Sequence, residues 1–381
     1  MPSQPATAAV SAPTLVAVSA PSAKPDAQAA PDADSNIDVG AGVQAVTSTS
    51  AEVSPATSAS AGPSARPGAV TATADSAATD PSPATAATFD AAIADEVTER
   101  TRAWFAIHRR DLPWRAKEAG PWAVMVSEFM LQQTPVSRVL PVYESWIARW
   151  PVPSALAAEE PGEAVRAWGR LGYPRRALRL HAAATAIVER HGGDVPDDYN
   201  ALRALPGVGE YTAGAIASFA FGRRAAVLDT NVRRVLARAF SGVEFPADSL
   251  TAAERALAEM VLPQAEQDAA SWAAASMELG ALVCTAKAPK CSQCPLVELC
   301  VWRALGQPPH DGPPRRGQTY AGTDRQARGR LLAVLRDATV PVDKSAFEPV
   351  WHMAEQRERA LAGLLADGLA VRLPDGRYRL P

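Results

Sequence analysis

All four cysteines of this 381-residue chain lie within one window of 17 residues. Cys284, Cys291, Cys294 and Cys300 have the spacing C-x6-C-x2-C-x5-C. Four thiolates this close in the chain constrain the local fold, because together they can hold one metal centre. Iron–sulfur clusters are held by four cysteinates, whereas zinc ribbons usually have two C-x2-4-C knuckles, and this window has one. A [4Fe–4S] cluster is therefore favoured and zinc is the alternative. Disulfides are disfavoured, because no secretory signal is found.

The first 88 residues differ sharply in composition from the rest. They are rich in Ala, Pro, Ser and Thr, and no aromatic residue precedes Phe89. Such a segment cannot bury enough apolar surface to offset its ordering entropy, so we expect disorder over 1–88. The chain carries a net charge of −3; this tail is acidic, and the remainder is mildly basic with several arginine pairs. Paired arginines suit phosphate contacts. No apolar run is long enough to span a membrane, so no membrane partner is expected.

The segment from about Asp95 to Gly306 has the pattern of helices. Apolar stripes predict helices over 95–110 and 122–133, and Thr134 followed by Pro135 resembles an N-cap with proline at the first helical position. No segment here alternates with period two. The sequence therefore predicts an all-α body.

Leu205-Pro-Gly-Val-Gly209 is the second strong motif. It separates two predicted helices, over 198–204 and 212–221, and glycines Gly207 and Gly209 allow a tight helix–hairpin–helix turn. Such a turn directs backbone N–H groups and a helix N-terminus outward, where a phosphate can bind.

These features resemble one family when taken together. The matching segments span about 95–305 and are Arg110-Asp-Leu-Pro-Trp-Arg115, Val126-Ser-Glu-Phe-Met-Leu-Gln-Gln-Thr134, Leu171-Gly-Tyr173, Leu205-Pro-Gly-Val-Gly-Glu-Tyr-Thr-Ala-Gly214, Leu228-Asp-Thr-Asn-Val232 and Glu278-Leu-Gly-Ala-Leu-Val-Cys284. They are similar to the endonuclease III-like, helix–hairpin–helix DNA glycosylases, and most of all to the adenine DNA glycosylases of the MutY family. The resemblance implies removal of adenine mispaired with 8-oxoguanine or guanine, in base excision repair.

Cleavage of an N-glycosidic bond uses an acid and a stabilising carboxylate. Glu128 has apolar neighbours on its helix face, which raises a carboxyl pKa, and the resemblance implies that it protonates adenine. Asp229 reads as a helix N-cap, where donors favour the ionised form, and the resemblance implies that it stabilises the cationic sugar, with Asn231 orienting it or the water. Tyr211 stands where bifunctional relatives have a Schiff-base lysine, so the resemblance implies a monofunctional enzyme.

The same resemblance implies a set of DNA contacts. Gln132, Gln133 and Tyr173 would act as wedges, because the gap left by an extruded base must be filled. The remaining implied contacts are Thr134, Trp114, Arg115, Leu131, Lys287 and Lys290, with Trp114, Arg115 and Leu131 around the adenine and the two lysines on the DNA backbone.

The predicted organisation is a tail (1–88), a glycosylase domain (89–305) with its cluster loop (284–300), a linker (306–324) and a winged-helix-like segment (325–381). The last segment is shorter than the C-terminal domain with which many adenine glycosylases recognise 8-oxoguanine. Its expected role is either to contact DNA or to pack against the body. We expect a monomer, located in the cytoplasm with the nucleoid, that acts on double-stranded DNA. The alternatives are another mismatch glycosylase, such as one for thymine, and a catalytically silent iron–sulfur DNA-binding protein.

Overall fold

The computed structural model describes residues 91–312 and 320–381. The predicted tail lies outside the described residues, as do residues 313–319 of the predicted linker. The body is helical, as the sequence predicts. Its helices are α1 (Ala91–His108), α2 (Pro121–Leu131), α3 (Val136–Arg149), α4 (Pro153–Ala157), α5 (Pro161–Trp168), α6 (Arg175–His191), α7 (Tyr199–Arg203), α8 (Glu210–Phe221), α9 (Thr230–Leu236), α10 (Ala252–Met260), α11 (Glu266–Leu282) and α12 (Val301–Ala304).

Helices α2 to α8 enclose one hydrophobic core. Its largest fully buried members are aromatic: Trp146 packs edge-on against Trp150 and Trp168, with ring centroids 4.6 and 5.7 Å apart. Met125 and Phe129 add one face of α2 to this core. Burying such side chains is worth about 1.5–3 kcal/mol each, which fixes α2 in place.

A second core joins the first helix to the second half of the body. It contains apolar residues of α1, α9, α10 and α11, and the cluster loop packs against it through Cys284 and Cys294. Helix α9 continues into a π-helical turn, Ala237–Ser241. A small third cluster, which includes Ala215 of α8 and Ala273 of α11, lies beside Tyr211. The candidate site therefore lies where the two cores meet.

The C-terminal segment has two helices and a hairpin: α13 (Asp324–Asp337), α14 (Ala354–Ala366), β1 (Val371–Arg372) and β2 (Tyr378–Arg379). The strands are antiparallel, and Val342 forms an isolated bridge with Tyr378. Apolar residues of this segment, including Leu331, Phe347 and Leu364, share the first core with α5. The Gly162 amide also donates to the Pro381 carbonyl at 2.8 Å. The segment is thus packed on the α5 side of the body.

Local residues set several helix ends, and the predicted Asp229 cap is confirmed. Asp198 and Asp229 cap α7 and α9 by accepting from Ala201 and Val232 amides, and Gly192 ends α6 in the left-handed conformation. The Thr134 prediction is wrong: Pro135 occupies the cap position of α3, and the Thr134 hydroxyl instead donates to the carbonyls of Gln132 and Leu171. Within the described ranges, no helix is long and apolar enough to cross a membrane.

Candidate active site

Glu128 lies on α2, a helix that is buried on almost every side. Its side chain is 5% exposed, and burial raises its pKa to about 7. A hydrogen bond from the Tyr211 hydroxyl at 3.1 Å and the charge of Arg115 act against this rise, whereas the charge of Asp229 adds to it. Glu128 therefore holds a transferable proton near neutral pH.

Asp229 faces the same space from the start of α9. Its Oδ1 accepts from the Val232 amide at 2.7 Å and its Oδ2 accepts from Asn231 Nδ2 at 2.7 Å. The sequence predicts that such donors favour the ionised form of the carboxyl. They do lower the pKa, but burial is the larger effect, and the pKa of Asp229 is raised overall. The donors thus act in the predicted direction, and the net rise comes from desolvation, because a cap at a buried helix start is removed from water.

Asn231 is itself fixed by an arginine of the same helix. Arg234 donates to Asn231 Oδ1 at 2.8 Å and to the carbonyls of Gly280 and Cys284 at 2.7 Å each. The side-chain amide of Asn231 is thus oriented with its Nδ2 toward Asp229.

Glu278 is a site residue to which the sequence patterns assign no role. It is 1% exposed on α11 and accepts bidentate pairs from both Arg110 and Arg115, at distances of 2.6–3.1 Å. Burial disfavours its charge, but these donors outweigh burial and hold its pKa at about 2. No local pattern marks Glu278, because these arginines lie 168 and 163 residues away in the chain.

The predicted pocket residues lie on or next to the first core. Trp114 is buried and packs edge-on against Tyr143 at 5.0 Å, and Leu131 is half-buried at the end of α2. Arg115 lies close enough to Glu128 for its charge to lower that pKa. Of the three, Arg115 is the residue with a recorded interaction with a carboxyl group of the site.

The predicted wedge residues lie on two turns. Gln132 donates to the Thr212 hydroxyl at 3.2 Å, whereas Gln133 and Tyr173 point outward, the latter 55% exposed. Gln133 and Tyr173 have φ of 53° and 46°, in the left-handed region that non-glycine residues seldom adopt. Thr134 is buried between the two turns.

The glycines of the hairpin have different roles. Gly207 has φ of 78°, and a Cβ there would lie 2.6 Å from Arg179 Cβ. Gly209 caps α8, and a Cβ added at Gly209 would meet no atom within 4 Å, so its backbone faces open space. A phosphate can approach such a surface and bind the N-terminus of α8.

The four cysteines are free thiols and each is half-buried. Burial raises the pKa of Cys294, and the charges of the other three cysteines raise it further. Arg238 donates to Cys284 Sγ at 3.4 Å and Gln307 donates to Cys291 Sγ at 3.4 Å. Within the described residues, no group of three or more His, Cys, Asp or Glu side chains is arranged to hold a single metal ion. The donor set of four thiols with N–H donors to sulfur fits an iron–sulfur cluster.

Two lysines lie on the loop that the first two cysteines enclose. Lys287 and Lys290 are both exposed, and the Lys290 amide donates to the Val283 carbonyl at 2.8 Å. The loop is further held by Arg238, which donates to the carbonyls of Thr285 and Ala286. The side chains of Lys287 and Lys290 therefore extend from a backbone that is held by hydrogen bonds.

Comparisons with known proteins agree with this geometry. Residues 126–261 match the model of the HhH-GPD superfamily base excision DNA repair protein, and residues 284–300 match the iron–sulfur binding domain of endonuclease III. The structure of a thermostable thymine-DNA glycosylase superposes with a TM-score of 0.51 at 27% identity, over 57% of this chain and 100% of that chain. The fold and site are those of a helix–hairpin–helix base excision repair protein that carries an iron–sulfur cluster.

The most similar curated relatives in this comparison share one enzyme name. The adenine DNA glycosylase of Mycobacterium tuberculosis (strain CDC 1551 / Oshkosh) is 52% identical over 280 residues, which are 73% of this chain and 91% of the relative. That of Mycolicibacterium smegmatis is 50% identical over 279 residues, 73% of this chain and 93% of the relative. The human adenine DNA glycosylase is 42% identical over 206 residues, 52% of this chain and 37% of the relative. The chain belongs to the adenine DNA glycosylase family.

Proposed function

We propose that this protein is a monofunctional glycosylase that hydrolyses the bond between adenine and deoxyribose where adenine is mispaired with 8-oxoguanine or guanine. The observation that carries the proposal is the pair of buried carboxyl groups, Glu128 and Asp229. Burial gives Glu128 a pKa of about 7, and Asp229 faces it from a helix start. Two carboxyl groups with different environments are what acid-assisted glycoside cleavage requires.

Glu128 supplies the proton in this proposal. Its protonated carboxyl donates to a ring nitrogen of adenine while the C1′–N9 bond breaks and the bonding electrons leave with the base. The Tyr211 hydroxyl, 3.1 Å from Oε2, orients the carboxyl and stabilises the carboxylate that remains. General acid catalysis of this kind is worth about 10²–10⁴ in rate.

Asp229 stabilises the positive charge that develops on the sugar, directly or through a transient covalent bond to C1′. Water then adds at C1′, and the proton that it loses passes to a carboxylate of the site. Asn231, held by Arg234, keeps Asp229 in a single orientation. No amine stands at the position of Tyr211, so no Schiff base forms there and the DNA strand stays intact.

Trp114, Arg115 and Leu131 surround the extruded adenine in this proposal. The Glu278 pairs with Arg110 and Arg115 fix the Arg115 guanidinium next to the pocket. A guanidinium held by a buried carboxylate offers its remaining N–H groups in a fixed direction, which suits hydrogen bonding to a base edge.

DNA contacts come from three surfaces. Backbone amides at Gly207 and Gly209 bind a phosphate at the start of α8, which needs no side-chain charge. Gln133 and Tyr173 enter the base stack, with Gln132 and Thr134 supporting the first of them. Lys287 and Lys290 contact the DNA backbone from the cluster loop.

The cluster in this proposal is one [4Fe–4S] held by Cys284, Cys291, Cys294 and Cys300. When bound, it ties four points of the loop to one centre. Every proposed reacting group lies outside this loop. The cluster therefore organises the DNA-binding loop in this proposal and takes no part in bond cleavage. Iron and acid-labile sulfide analysis of the purified protein tests the stoichiometry: roughly four irons per chain with broad visible absorption are expected, and one zinc in a colourless protein contradicts it.

Single-turnover excision tests the catalytic proposal. Duplexes with A:8-oxoguanine, A:G and T:G pairs are incubated with excess enzyme, with alkali added afterwards to reveal abasic sites. We expect excision from the first two only, and strand cleavage only after alkali. Glu128→Gln should bind DNA yet lose at least about 10²-fold in rate, whereas Glu144→Gln, an exposed glutamate on α3, serves as the matched control. Excision of thymine, or full activity of Glu128→Gln, contradicts the proposal.

A further inference from the structure

Arg176 is a buried arginine in the first turn of α6. It is 5% exposed, and burial lowers its pKa to about 10, so the guanidinium remains charged at neutral pH. In the described part of the chain, its hydrogen-bond partners are carbonyl and hydroxyl oxygens, and no carboxylate pairs with it. A buried charge without an ionic partner is costly, so its presence beside the candidate site calls for a specific role.

One arm of the guanidinium holds the end of α2. Nη1 donates to the carbonyls of Phe129 and Met130 at 3.0 and 3.2 Å, and also to the carbonyl of Gln132. Carbonyls in the last turn of a helix have no partner within the helix. Arg176 therefore fixes the path of the chain as it leaves the helix that carries Glu128.

The other arm reaches a second turn. Nη2 donates to Thr134 Oγ1 at 3.0 Å and to the Gly172 carbonyl at 3.1 Å. The Thr134 hydroxyl in turn donates to the Leu171 carbonyl at 3.2 Å. A single guanidinium thus joins the turn after α2 to the turn before α6.

These two turns carry the strained residues Gln133 and Tyr173. Of the described non-glycine residues, three have positive φ, and these are two of them, with Gln307 the third. Residues persist in this region only where the surrounding structure over-determines them. Both side chains point outward, and the Tyr173 ring centre lies 5.4 Å from the Arg176 guanidinium carbon.

We propose that Arg176 is a positioning residue that holds Gln133 and Tyr173 in their strained conformations, so that both side chains are ready to enter the DNA stack together. The proposal rests on the proposed function, because it takes these two residues as the wedges. In this proposal the buried Arg176 guanidinium sets the distance between the two wedge side chains and the direction in which each points. Among the described residues, no recorded contact between Gln133 and Tyr173 themselves could do so.

Base extrusion is the step that this arrangement controls, so the test measures extrusion directly. A 2-aminopurine next to the target adenine fluoresces when it loses its stacking partner, and the signal is followed by stopped flow alongside single-turnover excision. Arg176→Lys keeps the charge but lacks the fork of donors that spans both turns. We expect extrusion to slow by about 10- to 100-fold, since a misplacement of about 1 Å can cost about 100-fold. Arg190→Lys, at the exposed far end of the same helix, should change neither signal.

A double-mutant comparison separates positioning from a general effect on folding. In a protein that already carries Gln133→Ala and Tyr173→Ala, adding Arg176→Lys should slow extrusion by less than about twofold, because coupled residues are non-additive. A full tenfold loss in that background overturns the inference. If the wedge substitutions alone leave extrusion unchanged, the wedge roles in the proposed function fail. If they slow it and Arg176→Lys does not, the inference alone fails.

A milder variant keeps the test decisive if Arg176→Lys does not fold. Thr134→Val removes one acceptor of Nη2 and retains the shape of the side chain. We expect extrusion to slow by about threefold, corresponding to one weakened hydrogen bond, with a melting temperature close to that of the unsubstituted protein. Unchanged extrusion in folded Thr134→Val overturns the inference.

Discussion

Glu128 and Asp229 show how one buried site gives two carboxyl groups different tasks. Burial is the largest influence on both, and it raises the pKa of each. Asp229 receives hydrogen bonds from Val232 and Asn231, whereas Glu128 receives one from Tyr211. The group with fewer donors is the one whose pKa reaches about 7, and this fits it for the acid role.

The pH dependence of excision follows from that value. A general acid acts when protonated, so the single-turnover rate constant should be level below about pH 7 and fall about tenfold per pH unit above it. Tyr211→Phe removes a donor that lowers the pKa of Glu128, and its descending limb should move to higher pH. Rates measured from about pH 5.5 to about pH 9 on an A:8-oxoguanine duplex check both. A descending limb that moves to lower pH in Tyr211→Phe contradicts the assignment.

The same pKa predicts a stability effect. The folded-state pKa of about 7 exceeds the ordinary value of 4.5, so the folded protein binds the proton more tightly than the unfolded chain. The free energy of unfolding therefore falls as pH rises from about 4.5 to 7, and above pH 7 the full cost remains. Glu128→Gln should be more stable than the unsubstituted protein at about pH 8, by on the order of 3 kcal/mol, and the difference should nearly vanish at about pH 4.5. Urea denaturation at both pH values measures it, with Glu144→Gln as control.

At the scale of elements, the contact between α9 and α11 sets the position of Asn231. A Cβ at Gly280 would lie 2.7 Å from Asn231 Cβ and 2.8 Å from its carbonyl oxygen. Real Cβ atoms do not approach backbone so closely, so Gly280→Ala must displace the start of α9 and, with it, Asp229.

We therefore expect Gly280→Ala to lower the single-turnover excision rate by at least about tenfold, since small displacements of reacting groups are costly. Gly214→Ala is the matched control, because that helical glycine has no neighbour closer than 3.5 Å to the added methyl. Circular dichroism shows whether both variants remain helical. Normal excision by Gly280→Ala would mean that the start of α9 does not position the reacting carboxylate.

The elements with local signals could be predicted from the sequence. The Asp229 cap and the glycine-rich hairpin depend on residues within about one turn, and the structure has them where the pattern indicates. Glu278 has no such signal, because its arginine partners are 163 and 168 residues away in the chain. The Thr134 cap was wrong for the same reason: the buried Arg176, 42 residues away, captures the hydroxyl.

At the scale of the whole molecule, the C-terminal segment is continuous with the first core. Leu331, Leu335 and Leu361 are buried in the same hydrophobic cluster as Val165 and Trp168 of α5. Arg379 also pairs with Glu160 at 2.8 Å, and Arg175 pairs with Asp367 at 3.1 Å. Exposed pairs contribute little stability, so the apolar contact supplies most of the attachment.

Removal of residues 320–381 should therefore destabilise the body. Each large side chain that loses its cover forfeits about 1.5–3 kcal/mol, and about 1 kcal/mol shifts the melting temperature of a domain of this size by roughly 2–4 °C. We expect a fall of at least about 5 °C, measured by calorimetry. Single-turnover excision at about 20 °C should stay within about threefold of normal, because every proposed catalytic residue precedes Cys284.

A single substitution should loosen the contact between the C-terminal segment and α5 without removing any residue. A Cβ at Gly162 would lie 2.5 Å from the Pro381 carbonyl oxygen and 2.9 Å from Leu380 Cβ, so Gly162→Ala must push the last residues away from α5. Its melting temperature should fall between those of the full chain and the truncated chain. Gly120→Ala, where the added methyl meets nothing within 4 Å, should not change it. If truncation abolishes excision while the remainder stays helical, the segment is part of the active site. If neither change alters the melting temperature, α5 and the C-terminal segment do not share a core in solution.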